Sequence, residues 1–284
     1  MRSSNVHCRS LVDSDLRTIP ISGSVAVRVY RDTRPYNLKI ANLQKGLVLV
    51  CDGKETVGEG TGFGVPILVY SGETYFSGTC KMHVSKTDGE WSIRKEFLMD
   101  RVPRNNFRNV KLQNRKVRNF IEHLSRFYQE QPKFRFLILK ELTHKMRVRT
   151  AFVEAKPAGC VRITYLIGES RIQVRADFNG VKREELEKIF LLNEQGSMFF
   201  GKYVDSESNE LEESGIGAWD EVVGDWAVIC SAENGLGFKL WRKEGGILRR
   251  GREYVRNSLD WVGLDYEIDP VTSRFDYTIE ILGA

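Results

Sequence analysis

An aromatic side chain stands next to carboxylates in the segment 215–241. Trp219 is followed directly by Asp220 and Glu221, and Asp225 lies a few residues further on. An indole ring can cover the C–H surface of a sugar, and carboxylates accept hydrogen bonds from hydroxyl groups. This combination predicts a binding site for a carbohydrate or another polyol. We expect Trp219 to stack on the ligand and the acids to accept its hydroxyl hydrogen bonds.

Two arginines earlier in the chain are candidates to complete this site. Arg147 and Arg149 could donate hydrogen bonds to the oxygen atoms of a sugar. A structural interpretation stands beside the functional one, because large aromatic residues are common in protein cores. In that interpretation Trp219 and Trp226 are core residues and the neighbouring acids cap turns.

Other kinds of catalytic site have little support in the sequence. The chain has no H-x-H, H-E-x-x-H or C-x-x-C spacing for a metal, and no G-x-S-x-G motif for a nucleophilic serine. Five cysteines are scattered along the chain, an odd number with no close pair, which predicts reduced thiols. We therefore expect no metal and no cofactor.

Short segments in which apolar and polar residues alternate run through most of the chain. Residues 161–166 and 171–178 predict one hairpin, and residues 226–230 and 236–241 predict another. Strands that follow strands through short turns favour antiparallel sheets over parallel winding. The sequence therefore predicts a mainly β fold, a large antiparallel β-sandwich (supersandwich) with one amphipathic helix.

Three segments depart from this simple strand pattern. In residues 110–129 apolar side chains recur at helical spacing, which predicts the amphipathic helix. Residues 181–193 are ambiguous, because helix propensity favours a short helix in their first half, whereas residues 189–192 could form a buried strand. Glycines at every second position from Gly58 to Gly64 predict a bulged, bent strand at a sheet edge.

Length and charge suggest the organisation and location of the protein. The chain has 284 residues and a net charge of +5, with acids and bases interspersed, which does not favour a nucleic-acid partner. No apolar run approaches the roughly 18 residues of a membrane span, and residues 1–18 lack the apolar core of a signal peptide. We expect a cytoplasmic protein without membrane contact. We expect residues 1–18 to form a flexible arm and residues 19–284 a single large β-sandwich domain, and the oligomeric state is left open.

Three short segments carry a resemblance to a known group of proteins. The sequences GAWDE at 217–221, DWA at 225–227 and GLGF at 235–238, within a strand-rich chain of this length, resemble the large β-sandwiches of the galactose-mutarotase-like superfamily. This superfamily includes aldose epimerases and sandwich domains of polysaccharide-degrading enzymes. The resemblance spans residues 24–282, and it implies a carbohydrate-binding or carbohydrate-active protein.

The resemblance also implies a chemistry for an enzymatic form. Epimerases of the superfamily use a histidine acid and a glutamate base on one sugar, and such chemistry needs one protonated and one ionised group across the substrate. Here the resemblance assigns the acid to His144 and the base to Glu221 or Glu280. The sequence leaves open whether the protein is a mutarotase-like epimerase, a lyase or a binding protein without catalysis.

A different class of function rests on positive charge. Basic residues load one face of the predicted helix 110–129, and Arg249, Arg250 and Arg252 form a second basic cluster. These groups could bind an acidic partner, and such binding would weaken with salt. The alternative hypothesis is therefore a non-enzymatic interaction protein.

Overall fold

Nearly all regular structure in the described part of the chain is β-strand. The computed structural model describes residues 16–30, 45–56, 62–71, 73–87, 89–101, 157–197, 199–255 and 259–283. The predicted helix 110–129 and the candidate residues His144, Arg147 and Arg149 lie outside these ranges, so each stays a prediction.

The described residues contain strands β1 to β18 and one helical turn, α1. The strands in chain order are β1 Leu16–Ser22, β2 Val25–Tyr30, β3 Leu47–Cys51, β4 Lys54–Glu55, β5 Gly62–Tyr70, β6 Glu73–Thr87, β7 Glu90–Arg101, β8 Gly159–Ile167, β9 Arg171–Val181, β10 Leu186–Gly196, β11 Lys202–Asp205, β12 Glu210–Glu212, β13 Asp220–Glu221, β14 Trp226–Cys230, β15 Gly237–Trp241, β16 Gly246–Val255, β17 Leu259–Ile268 and β18 Arg274–Leu282. The helical turn α1 spans Glu213–Ile216, between β12 and β13.

Every strand pair among the described residues is antiparallel, which confirms the predicted mainly β, antiparallel fold class. The pairing is continuous, so all these strands belong to one hydrogen-bonded sheet. Along the sheet β12, β11, β14, β15, β18, β9 and β8 are successive neighbours, and β7, β6, β5, β10, β17, β16 and β13 continue the series.

The sheet folds back on itself around one apolar core. Strands β15 and β17 are far apart in the series of neighbours, yet the Tyr266 hydroxyl on β17 lies 2.6 Å from the Trp241 carbonyl oxygen on β15. Side chains on the inner face are buried at every second position, as in β9 and β18. Burial of this single face explains why the alternation was readable from the sequence.

Both predicted hairpins are confirmed. Strands β8 and β9 pair with each other, and so do β14 and β15, with Trp226 opposite Trp241. The helical interpretation of the first half of 181–193 is wrong, because residues 182–185 form a turn and β10 begins at Leu186. The apolar residues that follow are buried in the sheet, so tertiary packing outweighs the local helix propensity.

The glycine-rich segment forms the predicted bulge in its described part. Phe63 and Val65 of β5 are opposite the consecutive residues Asn193 and Leu192 of β10, so Gly64 is the extra residue. Its φ of +73° is in the left-handed region, and a side chain there would collide with the ring of Tyr165. The predicted edge position is wrong for the described part of the segment, because Phe63 pairs with Asn193 of β10 on one side and with Leu47 of β3 on the other.

A buried asparagine connects four strands near this bulge. The Asn193 side chain is fully buried, and its Oδ1 accepts hydrogen bonds from the Gly64 amide at 3.2 Å and the Tyr277 hydroxyl at 2.7 Å. Its Nδ2 donates to the Leu264 carbonyl at 3.1 Å. Burial raises the pKa of Tyr277 well above its ordinary value, so this residue stays a neutral donor.

Asn193→Ala should destabilise the protein strongly. It leaves the Tyr277 hydroxyl and the Gly64 amide buried without their acceptor, and each such group costs about 1–3 kcal/mol. We expect the free energy of unfolding, measured by urea denaturation, to fall by about 2–4 kcal/mol. Asn179→Ala, at an exposed position of β9, is the matched control and should change it by less than about 0.5 kcal/mol. Equal effects of the two changes would contradict the proposed role of Asn193.

Candidate functional site

The tryptophan that the sequence singles out rests against the sheet. Trp219 is half-buried and packs on Gly251 of β16, where a Cβ atom would lie 2.4 Å from Cδ2 of the indole. Only glycine at this position allows the ring to lie so close to the strand backbone. Part of the ring surface is therefore used in packing on the strand, although Trp219 is half-buried and does not belong to the apolar core.

The acids beside Trp219 have partners within the chain. Asp220 is cross-strand from Arg250, with 3.7 Å between its Oδ2 and the guanidinium Nη2. The Oε1 of Glu221 lies 3.9 Å from Nη2 of Arg242. Neighbouring residues of a strand point to opposite sides, so these two carboxylates do not converge on one ligand.

Asp225 is held through its backbone. Its amide donates to the Ser206 hydroxyl at 2.7 Å, and its carbonyl accepts from the Arg242 amide at 2.7 Å. These bonds fix the entry to strand β14. The side chain itself is exposed and does not line the cleft between β15 and β18 that is described below.

The loop that carries Ser206 is organised by a buried carboxylate. Asp205 accepts hydrogen bonds from the Tyr203 hydroxyl at 2.8 Å and from the amides of Glu207 and Asn209, both at 3.0 Å. Burial opposes ionisation of Asp205, but hydrogen bonds from Asn209 and Tyr203 outweigh it and lower its pKa below the ordinary value. The loop is therefore built around an ionised aspartate.

A cleft of about 470 Å³ opens on the outer side of the sheet, between β15 and β18. These strands pair only from Gly237 to Lys239 of β15, opposite Leu282 to Glu280 of β18. Beyond that point β18 continues to pair with β9, whereas β15 continues to pair with β14. The cleft therefore exists because two neighbouring strands separate while each keeps its other partner.

Two buried tyrosines form the floor of the cleft. Tyr266 and Tyr277 make an edge-on ring contact with 4.9 Å between their centroids. The Tyr266 hydroxyl donates to the carbonyl of Trp241, at a point where β18 no longer pairs with β15. The Trp241 carbonyl, at the point where β15 and β18 separate, thus receives its hydrogen bond from Tyr266 on the opposite side of the core.

An indole and a carboxylate meet at the mouth of the cleft. Trp241 is 43% exposed, and its Nε1 donates to Oε1 of Glu280 at 3.3 Å. The ammonium group of Lys239 lies 4.1 Å from the centroid of the Trp241 ring and 4.0 Å from that of Trp226. This cation–π stacking and the hydrogen bond hold the Trp241 ring in one orientation.

Basic side chains dominate the rim. The cations that line the cleft are Arg171, Arg175, Arg242 and Lys243, and its carboxylates are Asp276 and Glu280. Asp276 is already bonded to Arg274, with 2.6 Å between Oδ2 and Nη2. The arrangement can hold a small polar ligand against an aromatic ring, within a positive electrostatic field.

Neither a metal site nor a membrane-spanning helix is found among the residues that the structure describes. Among the described residues, no group of three or more histidine, cysteine, aspartate or glutamate side chains is arranged to hold a metal ion. The helical turn α1, the one helix in the described ranges, lacks the length and apolar character that crossing a membrane requires. The cysteines Cys51, Cys160 and Cys230 are free and half-buried.

Comparisons with known proteins give little guidance. No family model and no curated protein matches the chain. One solved structure, the Slr1438 protein from Synechocystis sp. PCC 6803, is similar over 100% of both chains, with a TM-score of 0.40 and 9% sequence identity. Similarity at this level transfers neither fold nor function, and the resemblance to the galactose-mutarotase-like superfamily stays a prediction.

The residues that line the cleft come from segments far apart in the chain, and no local sequence pattern indicates that they form one site. Glu280 was an alternative base, and Trp241 ends the segment 215–241, but nothing local indicates that their side chains meet. Arg171 and Arg175 show a weak signal, because they share the exposed face of an alternating strand. Which strand lies beside them is decided only by long-range pairing.

The loop around Asp205 should give the protein a defined sensitivity to acid. The folded-state pKa of Asp205 is lowered, so its stabilising effect is complete above the unfolded value and is lost as pH falls through the folded one. We expect Asp205→Asn to lower the free energy of unfolding by about 1–3 kcal/mol at pH 7. The difference from the wild type should shrink between about pH 5 and about pH 2.

Urea denaturation at a series of pH values measures this difference. Glu169→Gln, in the exposed turn after β8, is the matched control for removal of one negative charge. A difference between wild type and Asp205→Asn that stays constant down to about pH 2 would contradict the role of an ionised Asp205.

Proposed function

We propose that the protein binds a carbohydrate or a related polyol in the cleft between β15 and β18. The observation that supports this is the contact between Trp241 and Glu280 at the cleft mouth, with 3.3 Å between Nε1 and Oε1. Sugar-binding sites combine an indole ring with a carboxylate. In this cleft the two groups come from two different strands.

The rest of the cleft suits a small ligand with many hydroxyl groups. Its volume of about 470 Å³ lies in the range of about 300–1,000 Å³ that is usual for small-molecule sites. The exposed part of the Trp241 ring covers C–H surface, and Glu280, Thr278 and Gln173 offer hydrogen-bonding groups. The ring needs little ordering on binding, because Lys239 and Glu280 already hold it.

An enzymatic form of this proposal would use Glu280 as the base. Of the two glutamates considered from the sequence, Glu280 lines the cleft, whereas Glu221 lies next to Arg242 outside it. The acid assigned to His144 lies outside the described residues, so epimerase or lyase chemistry stays a prediction. Recognition of the ligand is the part that the described geometry supports.

An acidic partner on the arginine cluster has weaker support. Arg249 makes an ion pair of 2.7 Å with Glu267, and Arg250 donates to the Ile216 carbonyl at 2.6 Å and lies near Asp220. These guanidinium groups are engaged inside the chain, so little of their charge is directed toward a partner.

Replacement of Trp241 should weaken sugar binding. We expect Trp241→Ala to weaken the affinity for a bound monosaccharide by at least about tenfold, since it removes the stacking surface and a partner of Glu280. Isothermal titration calorimetry with a panel of neutral monosaccharides, on the full chain, measures this. The variant is used only if its circular dichroism spectrum matches that of the wild type.

Two other tryptophan variants make the test specific. Trp91→Ala is the matched control, because Trp91 on β7 also stacks with a lysine, with Lys86 Nζ at 5.1 Å from its ring, and lies away from the cleft. It should keep the affinity for sugar. Selective loss of affinity in Trp219→Ala, with Trp241→Ala unaffected, would contradict the cleft and favour the site predicted around Trp219, Asp220 and Glu221.

A further inference from the structure

We infer that the ligand of the cleft carries a phosphate group, so that the polyol is a sugar phosphate or a similar phosphorylated compound. This inference rests on the proposed polyol site and narrows it to a class of ligand. It derives from the charges of the cleft rim, whereas the polyol proposal derives from the indole and the carboxylate.

Cations face the cleft from both of its walls. On β9, Arg171 and Arg175 are exposed at alternate positions, so both guanidinium groups lie on the outer face of the sheet. On the opposite wall, Arg242 and Lys243 follow directly after β15. A ligand between the walls is therefore within the field of positive groups on two sides.

Each of the two carboxylates that line the cleft is cross-strand from an arginine of β9 but is bonded to a different group. Asp276 is directly cross-strand from Arg175, but its oxygens accept from Arg274 at 2.6 Å and 3.0 Å. Glu280 is cross-strand from Arg171, and its Oε1 accepts from the neutral Trp241 indole, so its charge is kept and remains available to the hydroxyl groups of a ligand.

The rim consequently keeps unpaired positive charge. Within the described ranges, no carboxylate lies at ion-pair distance from the side chains of Arg171, Arg175 or Lys243. Arg242 contributes less, since its Nη2 lies 3.9 Å from Glu221 and its Nη1 donates to the Val223 carbonyl. Repulsion among such cations is relieved when an anion binds between them.

The amount of charge favours a phosphate over a carboxylate. Four cations and two carboxylates line the cleft, an excess of two positive charges. A phosphate monoester carries about −1.5 to −2 at pH 7, whereas a sugar carboxylate carries a single charge. Guanidinium groups also bind phosphate through paired hydrogen bonds. Because Glu280 is cross-strand from Arg171, a sugar hydroxyl at Glu280 puts a neighbouring phosphate close to Arg171.

The test compares four probes by isothermal titration calorimetry on the full chain. The probes are glucose, glucose 6-phosphate, glucuronate and inorganic phosphate, each at low and high salt. We expect glucose 6-phosphate to bind at least about tenfold more tightly than the other three, with the advantage shrinking at high salt.

The double variant Arg171→Gln/Arg175→Gln should remove the preference for glucose 6-phosphate over glucose. Arg94→Gln/Arg162→Gln, two exposed arginines on β7 and β8, should keep it.

The other outcomes separate the two proposals. Equal affinity for glucose and glucose 6-phosphate would overturn the phosphate inference and leave the polyol site standing. Equal affinity for glucuronate and glucose 6-phosphate would overturn it in favour of a carboxylate ligand. If inorganic phosphate binds with the same affinity as glucose 6-phosphate, and Trp241→Ala does not change that affinity, the polyol site is overturned. Absence of binding by all four probes would overturn both.

Discussion

Asn193 holds together the two sides of the folded sheet, and the candidate site depends on the contacts that begin there. Its side chain bonds to β5 through Gly64 and to β18 through Tyr277. Tyr277 packs on Tyr266, whose hydroxyl in turn bonds to the Trp241 carbonyl beside the cleft. The hydrogen bonds at both ends of this series bury polar groups with their partners, which makes them costly to break. The position of the cleft is thus coupled to the interior.

The cleft itself follows from how strands share hydrogen bonds. A strand that keeps one neighbour can part from the other only if its freed backbone groups find partners. The hydroxyl of Tyr266 provides such a partner for Trp241, and burial raises the pKa of this tyrosine, which keeps it a neutral donor. The split between β15 and β18 therefore exposes a polar, aromatic cleft without leaving the Trp241 carbonyl unsatisfied.

The sequence predicted much of the secondary structure and little of the site. The hairpins β8–β9 and β14–β15 were predictable because alternation and turn chemistry are local signals. The segment 181–193 was ambiguous from the sequence, and the helix that propensity favoured in its first half is absent, because residues 182–185 form an exposed turn into the buried strand β10. Trp219 was chosen for its neighbours in sequence, but its ring packs on Gly251, which is distant in sequence and close in space.

The sequence alone determined which face is buried in alternating strands such as β9 and β18, because a period of two residues assigns faces without reference to other strands. It thereby determined that Arg171 and Arg175 share an exposed face. Only the tertiary structure decided that β9, β18 and β15 lie side by side, and that Trp241 meets Glu280 across 39 residues of chain. The physical reason is that lateral strand order is set by long-range pairing and core packing, on which local residue patterns carry almost no information.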